Sequence, residues 1–167
     1  FCSMILLNFL FFNSPIGPIR VEYSSQGISS LRFVDVMGEN HTEIPELEKM
    51  IIDDLKGYFG QKNHVWQSPV APHLGSEFQE KVWKYLLEIP VGQVRSYREI
   101  AEMLGQPKTA QAVGNANGQN PILLRIPCHR VIGSNGTMTG YAGELWRKEW
   151  LLRHEGYDGL NQQMNLF

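Results

Sequence analysis

The spacing of apolar and polar positions changes period along the chain. Near the start, Ile19, Val21 and Tyr23 alternate with Arg20 and Glu22 after the turn Ser14-Pro-Ile-Gly-Pro18, and Leu31 and Phe33 resume the alternation beyond Gly27. A period of two is what a half-buried strand presents. The apolar stretch 4–12 predicts a further, more deeply buried strand. From about Thr42 the period lengthens, with Leu47, Ile51, Leu55, Tyr58 and Phe59 on one helical stripe, Pro45 tolerated in the first turn and Gly60 at the end. Residues 61–74, containing Pro69 and Pro72 and leading to Gly75, read as a linker.

Helical spacing dominates the rest. Ser76-x-x-Gln79 is a capping-box pattern, and the stripe Phe78, Val82, Leu86, Ile89 follows it until Pro90 and Gly92. A second box, Ser96-x-x-Glu99, opens a shorter helix with Ile100, Ala101 and Leu104. Gly105-Gln-Pro107 then turns the chain into a third helical stretch, from Lys108 to about Asn117. Helix, short glycine-containing turn and helix is the helix-turn-helix arrangement.

That third stretch, Thr109-Ala-Gln-Ala-Val-Gly-Asn-Ala-Asn-Gly118, has no charge and little bulk. Glycine inside a helix costs about 1 kcal/mol relative to alanine, so a gain elsewhere has to offset it. One gain is tight helix packing through Ala110, Ala112 and Gly114, the reading that composition alone favours. The other is approach to a DNA minor groove about 6 Å wide, which a bulky helix does not enter.

Composition narrows the class. Over 167 residues, 43% hydrophobic and 19% charged positions describe a globular chain with room for a real core. Net charge is −2, but its distribution is uneven: 5 basic against 8 acidic residues in 1–75, and 10 against 8 in 76–156. A polyanion-binding surface is therefore expected in the second part. The opening apolar run is too short to cross a bilayer and has no basic leader, so no membrane is expected. Cys2 and Cys128 form neither a disulfide framework nor a C-x-x-C motif, which points to a reducing, cytoplasmic setting.

The segment Asn120-Pro-Ile-Leu-Leu-Arg-Ile-Pro-Cys-His-Arg-Val-Ile132 carries the candidate chemistry. Most free cysteines are small buried hydrophobes. A thiol beside His129 and Arg130 also lies near groups that favour a thiolate, the form that attacks electrophiles. A zinc site from Cys128, His129 and His154 matches no common ligand spacing and is set aside.

Pro127-Cys-His-Arg-Val131, with Gln119-Asn-Pro121 before it and Gly140-Tyr-Ala-Gly143, Lys148-Glu-Trp-Leu-Leu152 and His154-Glu-Gly156 after it, resembles the active-site region of the methylated-DNA–protein-cysteine methyltransferases, the O6-alkylguanine-DNA alkyltransferases. The resemblance runs from about Phe78 to Gly156; the amino-terminal part matches only in its order of strands and helix. It implies an α/β (α+β) protein in two parts: residues 1–70 as a small ribonuclease H-like strand-and-helix domain, and 71–167 as a mostly helical winged helix-turn-helix domain.

It further implies a monomer without cofactor or metal that acts on double-stranded DNA containing O6-alkylguanine, and possible action on O4-alkylthymine. The damaged base is rotated out of the stack and its alkyl group moves to Cys128. His129 would be the base through a water, Glu155 would orient the imidazole, and Tyr97 and Lys148 would be the donors that meet the leaving guanine. Asn120 would tie the recognition helix to an active-site strand. Gln111, Ala112, Gly114, Arg130 and Tyr97 would meet DNA, and Pro127, Tyr141, Ala142 and Gly143 would line the alkyl pocket.

Two positions depart from the family pattern. Gln111 stands where an arginine is usual, which predicts slower or more lesion-dependent repair, and Glu144 stands where a second glycine is common. Two rival classes, a non-reactive lesion sensor and a thiol hydrolase, are weakened by the presence of Cys128 and by the lack of a nucleophile-elbow motif respectively. Residues 157–167, with their Asn-Gln-Gln stretch, receive no role from these patterns.

Overall fold

A computed structural model describes residues 8–106 and 109–160. The chain divides into two compact units, Phe1–Leu74 with Pro121–Arg125, and Gly75–Asn120 with Ile126–Phe167. Among the described residues it is a mixed α/β chain with a small antiparallel sheet and five α-helices.

In the first unit, strands β1 (Asn8–Ser14), β2 (Gly17–Ser24) and β3 (Gly27–Phe33) form an antiparallel sheet in that order. The part of the expected first strand before Asn8 lies outside the described residues. Ser14 closes the first turn, its hydroxyl donating to the Gly17 carbonyl at 2.6 Å and accepting from Ile16 N at 3.2 Å. Leu10, Ile19, Val21, Tyr23, Ile28 and Leu31 are buried, as the alternation requires.

Helix α1 (Pro45–Gly60) starts three residues later than Thr42, because Pro45 takes the N1 position, where its missing N–H is no loss. Its buried stripe is Leu47, Ile51, Leu55 and Tyr58. Phe59 is half-buried and stacks on Phe12, and the stripe also buries a carboxylate, Asp54.

Residues 61–74 do more than connect. Ile28 N donates to Pro69 O and Ala71 N to Ile28 O, both at 2.8 Å, so this segment docks on the free edge of β3. Three residues along the same edge, Leu31 N donates to Pro121 O and Leu123 N to Leu31 O, both at 2.9 Å. An edge strand with its backbone groups filled no longer offers a template to another chain. Gly27 makes the docking possible: a side chain there would strike the Pro69 backbone.

In the second unit, α2 (Glu77–Leu87) and α3 (Tyr97–Met103) both begin with complete capping boxes, Ser76 with Gln79 and Ser96 with Glu99. Between them lies β4 (Arg95–Ser96), which pairs in parallel with β5 (Val131–Ile132). Leu104 falls just past the end of α3. Gly105, at φ +71°, lets Gln106 N reach Ala101 O and Gly105 N reach Glu102 O, the glycine-terminated stop that turns the chain.

Helix α4 (Ala110–Gly118) follows, buries Val113, Ala116 and Asn117, and is tied to α2 by Trp83 Nε1 donating to Ala116 O at 2.9 Å. Lys108, the expected start of this helix, lies outside the described residues. Helix α5 (Leu145–His154) completes the unit. No helix among the described residues is long and apolar enough to cross a membrane.

Candidate active site

The site is built on a tight turn. The apolar run 122–126 leads into it: Cys128–Arg130 form one turn of 3-10 helix after Pro127, with Arg130 N donating to Pro127 O at 3.0 Å. Strand neighbours point to opposite faces, whereas three residues per turn rotate successive side chains by about a third of a circle. That rotation lets His129 and Arg130, adjacent in sequence, both reach Glu155.

Glu155 is fixed by the end of α5. Gly156, at φ +85°, allows Tyr157 N to donate to Leu152 O at 2.9 Å and Gly156 N to Arg153 O at 3.0 Å, which leaves Glu155 as the last capping residue. Its carboxylate meets His129 Nε2 at 2.8 Å. It also accepts from Arg130 Nε at 2.8 Å and Arg130 Nη2 at 3.0 Å, while Arg130 Nη1 donates to Ile89 O at 2.6 Å. Burial alone would raise the Glu155 pKa, but the His129 and Arg130 interactions outweigh it and hold the carboxyl well below its ordinary value.

A carboxylate only accepts hydrogen bonds, so the neutral His129 ring carries its proton on Nε2 and leaves a lone pair on Nδ1. Nδ1 is buried and has no partner among the described residues. Burial lowers the His129 pKa against the pull of Glu155, so the ring is neutral at physiological pH.

Cys128 is 2% exposed. Burial pushes its thiol up to about 11, opposed by a hydrogen bond from Asn120 and by the charge of Lys148. The turn itself is held from two sides: Asn120 Nδ2 donates to Ile126 O at 2.7 Å and Asn117 Nδ2 to Cys128 O at 3.4 Å. Lys148 is fully buried, and its ammonium donates to Val131 O at 2.5 Å and Thr139 O at 2.8 Å, two of its three N–H groups. Burial lowers its pKa to about 8, with the Cys128 charge acting the other way.

Tyr141 sets its ring edge-on to His129, centroids 6.4 Å apart, and its hydroxyl is buried without a partner among the described residues. Tyr97 is the first residue of α3, half-buried, with its hydroxyl accepting from Thr139 Oγ1 at 3.3 Å. Pro127 and Gly143 are buried and Ala142 is exposed.

On α4, Gln111 is exposed while Ala112 and Gly114 are half-buried. A side chain at Gly114 would make only ordinary contact, 3.7 Å from the Tyr97 ring. Internal packing therefore does not demand a glycine there. Glu144 adopts φ +75° and ψ 145°, a region reserved almost entirely for glycine, which accounts physically for the expectation of glycine at this position. Its side chain leaves the site and accepts from Trp146 Nε1 at 2.7 Å.

The sequence patterns missed Asn117 and Thr139. Asn117 sits one helical turn before Asn120, a spacing that puts two amides on one side of the chain; Thr139 acts partly through its carbonyl, which no residue type announces. Among the described residues no group of three or more His, Cys, Asp or Glu side chains is placed to hold a metal ion.

Residues 77–157 match the family model described as 6-O-methylguanine DNA methyltransferase, DNA binding domain. A methylated-DNA–protein-cysteine methyltransferase of Methanosarcina acetivorans is 43% identical over 152 residues, 87% of this chain and 96% of that protein. One from Shigella flexneri is 56% identical over 105 residues, which span 63% of this chain and 61% of the relative's length. The solved structure of Mycobacterium tuberculosis OGT in complex with DNA superposes with a TM-score of 0.78 at 40% identity, covering 88% of this chain and 91% of that one.

Proposed function

Because the chain belongs to the methylated-DNA–protein-cysteine methyltransferase family, we propose that it repairs DNA by taking an alkyl group from the O6 atom of guanine onto Cys128, once per molecule. The observation that carries this reading is the buried pairing of His129 with Glu155 beside a thiol that burial keeps protonated. Such a thiol needs a base to become a nucleophile.

His129 Nδ1 takes the thiol proton through one water, which the unpaired, buried lone pair would hold well. Glu155 stabilises the imidazolium that results. The sulfur then bonds to the alkyl carbon as the carbon–O6 bond breaks, and the electron pair leaves with the guanine. Tyr97 and the third N–H of Lys148 meet that developing negative charge. The thioether has no carbonyl for water to attack and no good leaving group, so the thiol is not regenerated.

Duplex DNA is the partner, and the reacting guanine must leave the stack because its O6 is unreachable in line within the duplex. Helices α3 and α4 act as the helix-turn-helix of a winged domain. The small face of α4, at Ala112 and Gly114, approaches the minor groove, and Arg130 holds the site from within through Glu155. Gln111 contributes no charge, so binding should be less salt-dependent than with an arginine there. We read residues 1–70 as a ribonuclease H-like domain and 71–167 as the reacting domain of a monomer working in a reducing compartment.

Intact-protein mass after mixing with an O6-methylguanine duplex tests the reading. One added methyl, about 14 Da, absent in Cys128→Ala, is expected of a covalent acceptor. Unchanged mass with tight lesion binding would identify a sensor instead, and substrate hydrolysis without protein modification a hydrolase.

A further inference from the structure

Unit 2 holds the chain through Leu160: Tyr157 N donates to Leu152 O, and Leu160 is buried. The next seven residues, Asn-Gln-Gln-Met-Asn-Leu-Phe, lie outside the described residues, and alkyl transfer uses none of them. Their chemistry is distinctive as sequence. They carry no charge, and Gln163 leads a run in which Met164, Leu166 and Phe167 are large and apolar, with a single amide, Asn165, between them.

The absence of lysine and arginine from 161–167 argues against phosphate or an anionic surface as the partner of this segment. An adjacent leucine and phenylalanine form a compact anchor of the kind that dominates binding at protein interfaces when it enters a preformed apolar pocket. A glutamine amide, both donor and acceptor, fixes the register of such an anchor against one polar subsite. The fitting partner is a protein with a neutral apolar cleft and an amide-reading rim.

We propose that Gln163–Phe167 is a docking peptide for the ring-shaped sliding clamp that encircles DNA while it is copied, a protein offering a cleft of this kind to enzymes that work on the same DNA. The chemistry of the lesion favours that location. An alkyl group on O6 removes the N1 proton of guanine, so the damage becomes a mispair when the strand is copied. A protein that acts once gains most from being concentrated where copying occurs.

The test uses the full chain and a purified bacterial sliding clamp, without any lesion, in a surface-binding or anisotropy assay. Saturable binding is expected, displaced by the free peptide Gln-Met-Asn-Leu-Phe and weakened at least about tenfold by the double substitution Leu166→Ala, Phe167→Ala. That variant should transfer a methyl group from a short duplex to Cys128 at the unaltered rate, which shows that it is folded. No binding by the unsubstituted chain, or binding that neither the peptide nor the double variant affects, would overturn the proposal. Because clamp binding is read without alkylated DNA, failure here and failure of the alkyl-transfer reading are separate results.

Discussion

Each unit buries one carboxylate against one histidine, and the two pairs are equally long: Asp54 to His64 and Glu155 to His129 Nε2, both 2.8 Å. Their surroundings divide them. Asp54 also accepts from Gln67 N at 2.9 Å, from Ser68 N at 2.8 Å and from the Ser68 hydroxyl, so its hydrogen bonds end on a loop that they pin to α1. Burial would raise its pKa; those donors and His64 together hold it below the ordinary value. Glu155 also binds Arg130, and its histidine, fully buried and next in sequence to Cys128, has no partner at Nδ1 among the described residues. A carboxylate–histidine pair is a staple when its bonds terminate on the chain. The proposed chemistry needs the other arrangement, a ring shut away from water, and here the pairs differ: the His64 side chain is 13% exposed and that of His129 is 0% exposed.

The sharpest way to break this contrast is Glu155→Gln. The change leaves the Arg130 guanidinium without its counter-charge and removes the orienting carboxylate, so a loss of about 3–5 kcal/mol in stability is expected. The transfer rate per folded molecule should fall by about 10²-fold or more, read by single-turnover kinetics alongside a denaturant titration. Asp54→Asn should cost about 1–3 kcal/mol through its backbone donors and leave the rate per folded molecule unchanged. A rate defect in that variant would erase the distinction between the pairs.

Proton linkage separates them further. Both carboxyls are held below their ordinary values, so each contributes stability that is complete above the usual carboxylate range and lost as pH falls through the lowered folded-state pKa. Asp54→Asn should make acid unfolding shallower without moving the pH–rate profile. That profile should rise where His129 loses its proton, below the ordinary 6.5, and fall as Lys148 loses its ammonium near 8. Lys148→Met should lower the rate and remove the alkaline fall.

The smallest expected effect extends the distinction to a glycine. If Gly114 serves DNA rather than packing, Gly114→Ala should raise stability by up to about 1 kcal/mol while weakening duplex binding. Equal binding would return this position to the fold.

What the chain reveals of itself divides along similar lines. The alternation of β2, the stripe of α1 and the two capping boxes are local, set by neighbours within four residues, and they stand out in the sequence. The docking of residues 69–71 and 121–123 on β3 depends on backbone groups that every residue type carries, so Pro69 and Pro72 suggest only a linker. Cys128 draws notice through His129 and Arg130, but the stretch that separates His129 from Glu155, 26 residues on, contains no signal that they meet. Their association is legible only through the joint motif. The turn at Cys128 is equally silent, because an apolar run ending in proline does not announce the rotation that brings Arg130 and His129 to one carboxylate.

The depth of Cys128 has one more consequence. A cysteine that is 2% exposed and protonated at rest reacts sluggishly with peroxide and with small electrophiles that diffuse through a cell, because they require an accessible thiolate. For a catalyst that turns over, such encounters would be a nuisance; for a reagent consumed by its first event, each would be terminal. Concealment thus acts as chemical patience, sparing the acceptor from stray reagents until a carbon arrives already mounted on a purine.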